Sequence, residues 1–138
     1  MPLNREQIIQ RELNYFKGPM AKEPAFIRGE YDEEYNGYDE DRCVYKTSED
    51  RKCAVGVLLK PTLYEERFDE ADGLGVLGLP EAVQEYLGKE NLEWLTKLQM
   101  CHDQCAKSWI SDRDDGYTEN PHFGRYFLEV AKEANLLA

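Results

Sequence analysis

Four cysteines, Cys43, Cys53, Cys101 and Cys105, and one histidine, His102, are the side chains with the most reactive chemistry in this 138-residue sequence. Leu95, Leu98, His102, Cys105 and Trp109 recur at spacings of three and four, so one stripe of a long helix carries His102 inward. Cys53 follows Lys52 and opens an apolar run, where a helix N-terminus and a neighbouring ammonium would lower its thiol pKa. One reading therefore makes Cys53 a nucleophile, His102 its general base and Asp103 the orienting group, in a thiol hydrolase or transferase. Its weak point is that Asp103, next to His102 on a helix, is not expected to reach round to the ring.

Two other readings compete. Cys101 and Cys105 sit one helical turn apart, and with Cys43 and Cys53 they would make a four-thiolate zinc shell, or His102 would replace one ligand. Nine residues separate Cys43 from Cys53, unlike the two to four of a zinc knuckle. The plainer reading makes the thiols small hydrophobes and His102 a buried pin, bonded to a backbone carbonyl of a hairpin. The expectation is no metal and no cofactor. No phosphate-binding glycine loop, nucleophile elbow or paired-carboxylate motif points to another chemistry.

A second cluster is acidic. Residues 29–41 interleave seven carboxylates with three tyrosines. Such a run is either solvated surface or a contact face, and Tyr31, Asp32, Glu33, Glu34, Tyr35, Tyr38, Asp39, Glu40 and Asp41 are the candidate binding residues. Tyrosine offers rigid amphipathic area, and carboxylates steer a basic partner.

These groups must be positioned by one domain spanning 1–138, a length suited to a single core. The composition, 41% hydrophobic and 12% aromatic, is that of a globular chain. The net charge of −11 opposes a direct hold on nucleic acid, which needs Lys and Arg against phosphate. No run approaches the roughly 20 apolar residues of a membrane span. The opening residues lack an apolar signal core, so the expected location is the cytoplasm, with reduced thiols and no membrane contact.

Asn4 and Gln7 make a capping box, with Leu3 and Ile8 as a staple, and Ile9, Leu13 and Phe16 repeat at helical spacing up to Gly18-Pro19. Residues 19–41 read as an irregular acidic connection. Residues 43–47 and 51–55 read as the strands of a β-hairpin turned at 48–50. The apolar run 54–59 is a buried strand or a short core helix. Helices are expected between Pro80 and Gly88, from about Asn91 to Ile110, and after Asn120-Pro121. The last is expected to bury Phe123, Phe127, Val130, Ala134 and Leu137. The predicted class is α+β: a mainly helical single domain with a small hairpin packed on the helices.

Cys43-Val44-Tyr45, then Lys52-Cys53-Ala54-Val55-Gly56-Val57-Leu58, then Leu98-Gln99 with His102-Asp103, form a combination of motifs. With Tyr64 and Gly73 in the connection, the chain resembles, over residues 43–110, a group of small uncharacterised proteins of bacteriophages and some bacteria. Lys60-Pro61 stands where that group has an acidic Pro-Asp step. The group has no assigned activity, so the resemblance transfers no catalytic residue. It implies a phage-type accessory protein that binds a host protein with a basic surface, for host takeover or counter-defence.

Overall fold

Asn4 starts the first helix as its spacing requires. Its Oδ1 accepts from the Gln7 N–H at 2.9 Å, and Gln7 Oε1 accepts from the Asn4 N–H at 3.0 Å. Both staple residues, Leu3 and Ile8, are buried. The computed structural model describes residues 2–27, 31–34, 37–38, 42–47, 49–60, 62–64, 68, 75–116 and 120–137. Helix α1 (Arg5–Lys17) buries Ile8, Glu12 and Phe16. The stripe is turned by one residue from the expected one, leaving Ile9 and Leu13 only half-buried.

The expected α+β class is corrected. Extended pairing among the described residues is confined to two-residue antiparallel ladders, Phe26–Ile27 with Arg42–Cys43 and Tyr31–Asp32 with Gly37–Tyr38, plus a single bridge between Lys46 and Lys52. No sheet layer forms among the described residues, and the protein is mainly helical. The physical reason lies in where the backbone groups go. The predicted first strand pairs backward, with Cys43 opposite Phe26 and the Val44 N–H donating to the Ala25 carbonyl at 3.1 Å. The predicted return arm meets the first through the Thr47 N–H to Arg51 carbonyl bond at 2.9 Å and the Cys53 N–H to Tyr45 carbonyl bond at 3.2 Å, too short a pairing to make a strand ladder. Its Lys52 N–H donates to the Tyr15 hydroxyl of α1 at 2.7 Å. The arm then coils into a 3-10 turn, Gly56–Leu58. That settles the ambiguous apolar run as a single buried turn.

Helix α2 (Glu81–Leu87) lies between Pro80 and Gly88 and buries Val83 and Leu87, while Ala82 faces solvent. Helix α3 (Leu92–Asp114) buries Leu95, Leu98, His102, Cys105, Ala106 and Trp109 along its length. Helix α4 (Phe123–Glu133) buries Phe123, Phe127, Leu128 and Ala131, whereas Val130 is half-buried and Ala134 exposed. Buried Asn91 ties three elements together, donating from Nδ2 to the carbonyls of Leu3 at 3.1 Å and Leu87 at 2.9 Å. Trp94 and Trp109 fix the segments flanking α4 to α3, their indole N–H groups donating to the Leu136 and Asn120 carbonyls at 2.9 and 2.8 Å.

Two glycines permit the closest approaches. A Cβ on Gly124 would stand 2.1 Å from the Phe16 carbonyl oxygen, so α4 crosses directly over the end of α1. A Cβ on Gly56 would stand 1.9 Å from the Tyr45 carbonyl oxygen, which seats the 3-10 turn against the chain before it.

Candidate functional site

His102 lies fully buried at the middle of α3, and its ring is walled by those of Phe16, Phe123 and Phe127 at centroid distances of 5.8, 5.3 and 5.4 Å. Its Nδ1 is 3.0 Å from Asp103 Oδ1, so the adjacent carboxylate does reach the ring, contrary to expectation. The same oxygen accepts from Gln99 Nε2 at 2.8 Å. Gln99 Oε1 in turn accepts from the Val55 backbone N–H at 3.0 Å. A continuous chain of hydrogen bonds therefore runs from the 53–58 turn through Gln99 and Asp103 to His102. The segment is pinned to α3 as expected, but by Gln99 to an amide rather than by His102 to a carbonyl. A carboxylate only accepts, so the contact is an Nδ1–H donating to Asp103 Oδ1.

Cys53 is fully buried, with a relative exposure of 0%, as is His102. Its sulfur accepts from the Gly56 N–H at 3.3 Å and its carbonyl from the Val57 N–H at 3.0 Å, so Cys53 caps the turn that follows it. Of the group proposed from sequence, His102 and Asp103 are in contact, and the thiol of Cys53 and the imidazole are both sealed from solvent. Asp103 alone of the three reaches the surface.

The four cysteines do not converge. Cys43 lies against Asp103, its thiol 3.9 Å from that residue's carbonyl oxygen. Cys101 and Cys105, two positions away on either side, project from roughly the opposite side of the helix. Burial and the Asp103 carboxylate push the Cys43 thiol pKa up. Cys101 and Cys105 hydrogen-bond to each other, which lowers the pKa of half-buried Cys101 and raises that of buried Cys105. Among the described residues, no three of His, Cys, Asp and Glu are grouped to hold a metal ion.

Sequence reasoning missed Glu12. It is 0% exposed, and burial raises its pKa well above the usual carboxylate value. The available signal was an acid four residues from both Ile8 and Phe16, at the centre of a buried stripe. It also missed a groove of about 720 Å³ lined by Met20, Arg51, Trp109 and Arg113, in which both guanidinium groups pair with Glu23.

Of the candidate binding segment, Tyr31 stands opposite Tyr38 and Asp32 opposite Gly37 in antiparallel register. Glu33 and Glu34 occupy the turn after Asp32 and are exposed. Tyr35, Asp39, Glu40 and Asp41 lie outside the described residues, as does Gly73. None of the helices among the described residues is long and apolar enough to cross a membrane.

No family model, curated protein or solved structure matches the chain.

Proposed function

We propose that this chain is a small accessory protein that acts by binding, and that its partner is a host protein with a basic surface. The observation that carries the reading is the register of the acidic segment. Tyr31 lies across from Tyr38, and two exposed carboxylates, Glu33 and Glu34, sit on the turn near them. That brings two tyrosine positions and two exposed carboxylates into one short reversal of the chain, a composition suited to a basic face. The net charge of −11 adds long-range steering toward such a partner. The motifs of residues 43–110 support a phage-type origin and hence a host target.

Thiol chemistry by Cys53 and His102 is the weaker reading, because neither side chain is open to a substrate. The test of binding is retention from host lysate on the immobilised protein. The partner is retained at low salt and released as salt rises past the range where the Debye length is about 8 Å. Exchanging Asp32, Glu33, Glu34, Asp39, Glu40 and Asp41 for their amides abolishes retention. Undiminished retention by that variant would show the reading to be wrong.

A further inference from the structure

Cys101 and Cys105 are a pair of thiols that neither the hydrogen-bonded chain to His102 nor the acidic segment uses. They lie one turn apart on α3, and their thiols hydrogen-bond to each other. Cys105 is buried, at 4% exposure, whereas Cys101 is half-buried at the edge of the same face. A small species can therefore meet the pair from the Cys101 side, with Cys105 as the inner wall.

Helix geometry restricts what the pair can do. Cβ atoms four residues apart on a helix stand about 5–6 Å from each other. A disulfide requires about 3.5–4.5 Å between them, so a bridge here would unwind the turn that also carries buried His102. A bridging ion lengthens the span. Thiolate–metal bonds are about 2.3 Å long, so two of them in line hold the sulfurs about 4.6 Å apart. Both side chains reach that separation with the helix intact.

The number of ligands then selects the ion. Among the described residues, no third His, Cys, Asp or Glu joins the two to hold a metal. The Cys43 thiol is held at the Asp103 carbonyl, on roughly the opposite side of α3. Zinc takes four ligands and would have to keep water against a largely buried face. A soft monovalent ion prefers thiolate ligands, and two of them in line satisfy it. On binding it releases the S–H protons, which a coordinated thiol does not keep.

We propose that Cys101 and Cys105 form a linear two-thiolate site for a soft monovalent metal ion of the Cu(I) type, which enters at the Cys101 edge of α3. The site is independent of the acidic segment and of the binding partner proposed for it.

The probe is Cu(I) itself, offered without oxygen to the reduced protein in competition with the chromophoric chelator bicinchoninate. The wild-type chain is expected to withdraw one equivalent, and X-ray absorption at the copper edge to find two sulfur neighbours. Cys43→Ser withdraws the same equivalent, whereas Cys101→Ser and Cys105→Ser withdraw none. Zn(II) offered in the same way is not retained through dialysis. No copper withdrawn by the wild type, undiminished withdrawal by Cys101→Ser, or zinc held as firmly as Cu(I) overturns the site. If Cys105→Ser does not fold, Cys101→Ser, at a half-buried position, decides alone.

Discussion

Asp103 Oδ1 stands 3.0 Å from Nδ1 of His102, its immediate neighbour in the chain. Successive residues on a helix point about 100° apart, so such a contact needs the carboxylate to bend back along the helix surface. Gln99, one turn earlier, holds it there from 2.8 Å and spends its other atom on the Val55 amide. The imidazole and the 53–58 turn are thus held by one amide side chain.

Gln99→Leu leaves the Val55 N–H without an acceptor and Asp103 without its second donor. The expected loss is about 1–3 kcal/mol of folding stability, read as a lower urea midpoint at unchanged slope. A midpoint equal to that of the wild type would mean that the chain of hydrogen bonds holds nothing.

Glu12 makes stability fall as pH rises. Its pKa in the folded protein lies well above the usual carboxylate value because of burial, whereas in the unfolded chain it ionises near about 4.3. Between those two values the native state holds the extra proton, so raising the pH favours unfolding. The slope reaches at most about 1.4 kcal/mol per pH unit. Urea midpoints taken at a series of pH values above the unfolded value show the decline, and Glu12→Gln flattens it. A wild-type profile already as flat as that of the variant contradicts the assignment.

Thiol labelling of the native protein should be ordered by exposure and by pKa. Cys101 is half-exposed with a lowered pKa and reacts first. Cys43 is held back by its raised pKa, Cys105 by its raised pKa and burial, and Cys53 by complete burial. Mass-resolved alkylation near neutral pH gives the order directly. Rapid modification of Cys53, with dependence on His102, would reopen the enzyme reading.

Gly124→Ala drives a methyl group into the Phe16 carbonyl oxygen, and Gly56→Ala does the same at the Tyr45 carbonyl. Backbone cannot swing aside as a side chain does, so each substitution costs about 3 kcal/mol or more. Gly75→Ala, with nothing within 4 Å of the added carbon, is the control and changes stability by less than about 0.5 kcal/mol. Thermal melts of the three variants separate the cases.

The helices were legible because their signals are local. Asn4 and Gln7 cap each other within one turn, and the stripe of α3 from Leu95 to Trp109 repeats for long enough to fix which face is buried. The hairpin was misread because residues 43–47 and 51–55 have strand composition but pair only briefly, from Tyr45–Cys53 to Thr47–Arg51, before other segments take their backbone groups. Phe26 and Ala25 take the first segment, and the Tyr15 hydroxyl takes an amide of the second. Those contacts join positions far apart in sequence, which no local pattern records. In the candidate site, Gln99 and Asp103 are four residues apart, the spacing at which helical side chains meet, and they do so at 2.8 Å. Glu12 did not stand out, since a single acid on a surface helix ordinarily faces water, and only the neighbouring elements bury this one.

The crossing of Gly124 over Phe16 also joins segments made far apart in time during synthesis. The first helix emerges early, yet the floor it rests on is supplied by α3 and α4, synthesised about a hundred residues later. Until then its apolar stripe has no native partner, and contacts this distant close slowly. Without α4, the stripe of α1 stays open to non-native contacts, the condition in which a chaperone finds a client.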